Sequence, residues 1–410
     1  MNQYIEAIQI YSRKTYNKMV REPKGFLKYP FIVPGSESYG HCLWDWDSWL
    51  TDIAVRQIML DNGVEDEYFT RCEKGCVLNF LELMEEDGRT MIVALPDRVE
   101  LFDEGGNIHK PCLIQHAAFV TKVHGEDAQW LRPYMEKFDR FLGYYMKHCR
   151  HEATGLYFWL NDTAIGVDND PCTFYRPFGS SASIYLNCLM YKELLAMVYL
   201  CDLLEMDGSR YQQEADAVKM AIQTHLWDER DGFYYSADLN LLPVDPEQIL
   251  HSGAPRHWHC LIQRIDVWSG FMAMWAGIAT KAQAARMVAR MEDPATFRSP
   301  YGIRSLSKME AMYNPIKSGN PSCWLGPIWG IGNWMCFVGL LNYGYEAEAR
   351  KLCEDTIGLF GRDILACGEM HEYYHPDTGE GQNNQGFQSW NFLVNNMIAW
   401  YEGKDFVQGF

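Results

Sequence analysis

At 410 residues, with 48% hydrophobic and 14% aromatic side chains, the chain can form one large domain or two or three ordinary ones. Its formal charge of −18, from 36 basic and 54 acidic residues, excludes nucleic acid and anionic membrane surfaces as partners, because both require clustered Lys and Arg. Thirteen cysteines, an odd number without a compact framework, fit a reduced cytoplasmic chain.

Taken in chain order, residues 2–20 predict an amphipathic helix carrying Glu6, Arg13, Lys14 and Lys18. This segment lacks the apolar run of a signal peptide, and no later stretch reaches the ~18 apolar residues of a membrane span. A long loop, 21–45, leads into Leu43-Trp44-Asp45-Trp46-Asp47-Ser48-Trp49. Interleaved carboxylates and indoles make a poor plain core, since buried Asp is costly without a partner. They suit a sugar, whose C–H face rests on indoles while carboxylates accept its hydroxyl hydrogens. A helix entrance with an Asp cap and core tryptophans is the plainer alternative.

Helices follow over 46–61 and 65–86, the second with Asp66 as a candidate cap. Cys72 and Cys76 are four apart, but no second ligand pair follows, so no zinc site is expected. The loop 87–112 contains Gly105 to Pro111, and Gln115 and His116 come just after it; Lys110 would bind a substrate anion or pair with a pocket carboxylate, unless it is a surface lysine. After helices over 113–124 and 126–149, the loop 150–179 holds Gly166-Val167-Asp168-Asn169-Asp170-Pro171. Glycine and proline bracket a carboxylate there, a turn that presents Asp168 into a cavity or makes an ordinary Asx-turn.

Helices over 180–205 and 208–227 precede the loop 228–267, where Gly232-Phe233-Tyr234-Tyr235-Ser236 reads as a hairpin strand. Helices over 268–278 and 280–292 lead to the loop 293–325, with Tyr301 to Ser307 and then Asn320 to Trp334, whose Trp324, Trp329 and Trp334 point to a pocket. Beyond helices 326–341 and 344–360, the loop 361–385 carries Gly368-Glu369-Met370-His371-Glu372-Tyr373-Tyr374. Alternation puts Glu372 and Tyr374 on one face, leaves Glu369 as the fallback one register away, and makes Asp377 structural. A last helix spans 386–402.

About twelve helices, with short turns alternating with long loops, suggest an all-α (α/α)6 toroid whose long loops gather on one face. No linker or composition break divides residues 1–410, so a single domain is expected. Two isolated carboxylates across a cavity lined by aromatics are the minimum for glycoside hydrolysis. Asp168 and Glu372 are the best-separated pair, one protonated by burial, the other kept ionised by hydrogen bonds.

The chain resembles glycoside hydrolase family 63, and more loosely the family 37 trehalases. The match covers about residues 30–400 through Trp46-Asp47-Ser48, Gly166 to Pro171, Ser269 to Gly277, Tyr301 to Ser307, Gly326-Pro327-Ile328-Trp329 and Glu372-Tyr373-Tyr374. The resemblance implies an inverting, exo-acting hydrolase of α-linked terminal sugars, glucose first, with no metal, cofactor or covalent intermediate. It implies Asp168 as general acid and Glu372 as general base. Tyr39, Trp44, Trp46, Asp47, Lys110, Gln115, Trp324 and Trp329 would bind the substrate, a small glycoside or oligosaccharide. In its short length the chain is similar to bacterial mannosylglycerate and glucosylglycerate hydrolases. It departs where the family tends to have Tyr-Trp-Arg-Gly-Pro and this chain has Cys323-Trp324-Leu325-Gly326-Pro327, so the resemblance reaches the sugar side further than the aglycone side. Two rivals are weighed: a sugar 2-epimerase using histidines from the set His41, His109, His116, His257, His259, His371 and His375, and a sugar-binding protein without turnover. Oligomeric state is not encoded in any of these features.

Overall fold

The computed structural model describes residues 1–98, 106–174, 176–242, 245, 247, 249, 256–316 and 322–410. Its helices, in chain order, are α1 Asn2–Thr15, α2 Ser36–Tyr39, α3 Asp45–Asp61, α4 Glu67–Glu82, α5 Leu113–Val123, α6 Met135–His148 and α7 Ile184–Leu203. They continue as α8 Ser209–His225, α9 Met272–Trp275, α10 Lys281–Met291, α11 Gly330–Asn342, α12 Glu346–Cys367 and α13 Val394–Tyr401. Each of the expected helical segments overlaps one of these. The small α2 lies in what the sequence presents as loop.

Several boundaries differ: the segment 126–149 opens with a 3-10 turn, Gln129–Tyr134, and 386–402 with another, Ser389–Leu393. The helix α12 runs on to Cys367, through residues expected to be loop, and ends at Gly368 with φ +85°. Gly361 looks like a breaker in the sequence, yet it sits mid-helix because α1 crosses there; a Cβ at 361 would lie 2.3 Å from that of Tyr4. The segment 268–278 is a 3-10 turn, Trp268–Phe271, followed by the four residues of α9.

Packing follows an order. α3 lies against α5, α5 against α7, α7 against α9, α9 against α11, α11 against α13, and α13 returns to α3. Helices of this set, such as α7 and α11, are apolar on nearly all sides. α10 instead buries only the stripe Ala284, Met287, Val288 and Met291. Ile184–Leu203 is long and apolar enough to cross a membrane by length and composition, contrary to the sequence reading, but its most apolar 18-residue window is 78% buried inside the fold. It is a core helix.

Short strands decorate one end. Tyr373–Tyr374 lies between Ile328–Trp329 and Gly381–Gln382, all antiparallel. Phe233–Tyr234 pairs with Trp227–Asp228, as the expected hairpin. The chain's last residues tuck under the opposite end, where the Val407 N–H donates to Gln57 at 2.6 Å and Asn396 donates to the Val407 carbonyl at 2.8 Å.

Candidate active site

At the start of α3 the Asp45 carboxylate accepts the Trp46 N–H at 2.7 Å, which fixes the entry of the chain into the helix. It also takes the Lys110 backbone N–H at 3.0 Å and the Lys110 ammonium at 3.0 and 3.1 Å. Lys110 is 1% exposed, with its ammonium 5.0 Å from the centre of the Trp46 ring. The surface-lysine alternative is therefore wrong: Lys110 is a wall residue balanced by Asp45.

Gly166 closes over this wall. Its φ is +90°, and a Cβ there would come within 2.6 Å of Trp46 and 2.7 Å of Lys110. Two residues on, Asp168 lines the cavity, and the loop is anchored on both sides. Asn169 accepts the Trp324 N–H at 2.7 Å, and Asp170 accepts the Cys172 N–H at 3.2 Å and the Thr173 hydroxyl at 3.2 Å. Asp170 is thus the Asx-turn residue, while Asp168 is presented inward.

The resulting cleft is small, with a cavity volume of about 110 Å³. Tyr39, Trp44, Trp46, Asp47, Lys110, Asp168, Trp324, Trp329 and Glu372 all line it, as expected. Gln115 does not. In the first turn of α5 it points into the helix packing, where its amide donates to the carbonyls of Pro111 at 2.7 Å and Leu189 at 3.2 Å. Gly105, Asn320 and Pro321, parts of two of the motifs, lie outside the described residues. Ser322, Ile92, Ala164 and Trp390 complete the lining.

Glu372 ends the loop that feeds Tyr373–Tyr374 and is only 4% exposed. Its Oε1 accepts the Tyr39 hydroxyl at 3.1 Å, and its Oε2 accepts the amides of Asn383, at 2.9 Å, and Asn384. Burial pushes its pKa up to about 7; the three donors pull downward and the nearby Asp168 charge adds to the rise. The expectation of an ordinary, fully ionised base is corrected here, because burial outweighs the hydrogen bonds. Asp168 is open to solvent at the mouth of the cleft, yet its pKa is also raised, by the desolvating walls around its carboxyl, against the Ser322 hydrogen bond and the Lys110 charge. Asp47, 7% exposed, accepts the Ser389 hydroxyl at 3.2 Å and is raised to about 8 by burial and by the Asp45 charge. Glu369 is exposed and away from the cavity, so the register falls on Glu372. Asp377 pairs with Arg304 at 2.8 Å, a structural role as read.

The aromatics are arranged differently from a simple platform. Trp324 and Trp329 stack on each other at 3.9 Å and 4°, and Trp329 also stacks on Tyr373 at 4.7 Å. With both faces of Trp329 occupied, it offers the cleft an edge. Trp46 packs edge-to-face on Trp390 at 5.5 Å, and Trp44 packs edge-to-face on Tyr39 at 5.7 Å.

Sequence reasoning missed Trp390, Ser389, Asn383 and Asn384. The last two stand at φ +57° and +26° in an amide run that reads as a turn. Among the described residues no histidine lines the cavity. His109 and His116 are buried behind it, with pKa values lowered by burial to about 4 and about 3. One trio with metal-ligand chemistry, Asp363, Cys367 and His371, has its ligand atoms within 4.8 Å of one another. These groups bond one another: Asp363 pairs with His371 Nδ1 at 2.9 Å and accepts the Tyr374 hydroxyl at 2.7 Å, bracing the strand behind Glu372.

The family model described as the mannosylglycerate hydrolase MGH1-like glycoside hydrolase domain matches residues 40–391. The mannosylglycerate hydrolase of Thermus thermophilus is 26% identical over 261 residues, which are 63% of this chain and 51% of that protein. The mannosyl-oligosaccharide glucosidase of Saccharomyces cerevisiae is 26% identical over 48% of this chain and 23% of its own length. The aligned part thus spans about half, or less, of these relatives. Among solved structures, the family 63 mannosylglycerate hydrolase of Thermus thermophilus in complex with glucose superposes with a TM-score of 0.70 at 19% identity, over 93% of this chain and 98% of the other. The neutral trehalase of Saccharomyces cerevisiae gives 0.61 at 17% identity, over 91% and 73%. The fold is shared with both.

Proposed function

The chain belongs to the mannosylglycerate hydrolase MGH1-like glycoside hydrolase family, and from that premise we propose that it is an inverting hydrolase of an α-linked terminal sugar, glucose first, on a small glycoside or oligosaccharide. The observation that carries this reading is the placement of Asp168 and Glu372, from loops two hundred residues apart in sequence, on the wall of one aromatic cleft, close enough for the charge of Asp168 to bear on Glu372.

In the proposed reaction, protonated Asp168 gives its proton to the glycosidic oxygen as the bond to the anomeric carbon breaks. Ionised Glu372 takes a proton from a water that attacks the same carbon from the opposite side. The carboxyl groups should then stand about 6.5–9.5 Å apart, with room for that water. Tyr39, Asn383 and Asn384 hold the base; Asp47, Trp44, Trp46 and Trp390 receive the sugar, with the edges of Trp324 and Trp329 shaping the floor. The return of α13 to α3 after α5, α7, α9 and α11 supports a single-domain (α/α)6 toroid, in which these six helices form the inner ring. The absence of histidine from the described lining weighs against the epimerase reading.

The test is anomeric NMR on trehalose, kojibiose, nigerose, maltose, glucosylglycerate and mannosylglycerate. Early β-anomer from any member, lost in Asp168→Asn and Glu372→Gln by about 10²–10⁴-fold with the fold retained, is the expected result. An α-anomer first, or full activity in either variant, would overturn the assignment. Binding without turnover across the panel would favour the sugar-binding reading.

A further inference from the structure

Resting on the hydrolase reading, we infer that the aglycone subsite takes an uncharged, polyhydroxylated group and discriminates against a carboxylate-bearing one such as glycerate. Among the described residues, the side chains that line the cleft and can carry charge near neutral pH are Asp47, Asp168, Glu372 and Lys110. Three are acidic, and the single cation is already spent. Lys110 gives both its backbone N–H and its ammonium to Asp45, and the pair lies inside the wall, with side-chain exposures of 2% and 0%. It neutralises Asp45 and leaves no net positive charge for a ligand.

Several arginines of the long loops are likewise paired with carboxylates, while Arg21, beside Gly40, donates to the Gly40 and Lys18 carbonyls. Arg176 pairs with Asp238 at 2.6 Å, Arg304 with Asp377 at 2.8 Å, and Arg298 with Asp355. The residues outside the described set carry one Lys or Arg, Lys317, against Glu100, Asp103 and Glu104. With Asp47 protonated and one proton held between Asp168 and Glu372, as the proposed reaction requires, the lining stays net negative. A ligand carboxylate entering beside Asp168 would find no counter-charge among the described lining residues and would sit in the field of Glu372. A hydroxymethyl group of the same reach meets no such cost and donates a hydrogen bond to an acidic wall. The overall charge of −18 opposes the approach of anions as well.

The test compares α-glucosylglycerol with α-glucosylglycerate, and the corresponding mannosyl pair, which differ only in a hydroxymethyl against a carboxylate. We expect kcat/KM at least tenfold higher for the neutral member of the pair that is turned over. Calorimetric Kd values for both members on the Asp168→Asn protein should show the same order. Equal values, a preference for the glycerate member, or failure of every neutral member to bind would overturn the inference. Binding without turnover by the wild-type protein would remove the hydrolase reading alone, and the Kd ratio would still decide the question of charge.

Discussion

Glu372 shows how one residue is set by opposing forces. Burial raises its pKa to about 7, while Tyr39, Asn383 and Asn384 donate to the ionised form. Removing a donor to the charged form must raise the pKa further. Tyr39→Phe should therefore move the acid limb of the kcat/KM profile upward by about half a unit to one unit, and an unmoved limb would take Tyr39 out of this role. The same burial has a stability consequence. The folded-state pKa lies above the ordinary 4.5, so the folded protein holds the proton more tightly. Stability from this group is complete below 4.5 and is lost as pH rises to about 7, at a cost of about 3 kcal/mol once both states are ionised. Glu372→Gln should melt at a higher temperature than the wild type, by more at pH 8 than at pH 5 in paired melts. The carboxylates and tryptophans of the site were legible in the sequence because they stand where a core has no use for them. Asn383 and Asn384 were not, because amides in a turn read as turn chemistry, and Gln115 misled because helix rotation, not composition, turns it away from the cleft.

At the scale of elements, the loops matter more than the helices they join. Gly166 allows the Asp168 turn to lie directly on Trp46 and Lys110, and no side chain fits there. Gly166→Ala should cost about 2 kcal/mol or more in a denaturant titration, from the positive φ and the overlap together, and should lower kcat by pushing Asp168 off its position. An unchanged kcat would show that the turn tolerates the shift. α4, with its Asp66 cap, and α10, with its buried stripe, were readable from the 3.6-residue period, whereas α7 and α11, apolar on nearly all sides, show only as apolar runs. The sequence misleads at Gly361, where the close approach of Tyr4 mimics a break, and it understates Ile184–Leu203, a core helix apolar enough to pass for a membrane span. Neither partner is visible from local sequence.

For the whole molecule, the cleft draws its wall from segments near residues 45, 110, 168, 324, 372 and 390, and the helix packing returns from α13 to α3. On the proposed single-domain reading the protein should unfold in one calorimetric transition, with equal calorimetric and van't Hoff enthalpies; two resolved transitions would overturn that reading. The mutual stacking of Trp324 and Trp329 has an optical consequence. Parallel indoles 3.9 Å apart couple their excited states, so the pair should give a strong near-ultraviolet dichroic signal. Five of the chain's fourteen tryptophans line the cleft, so ligand entry should alter the intrinsic emission without any label. The protein carries its own reporter for the question its chemistry raises: which glycosides enter, and how tightly each is held.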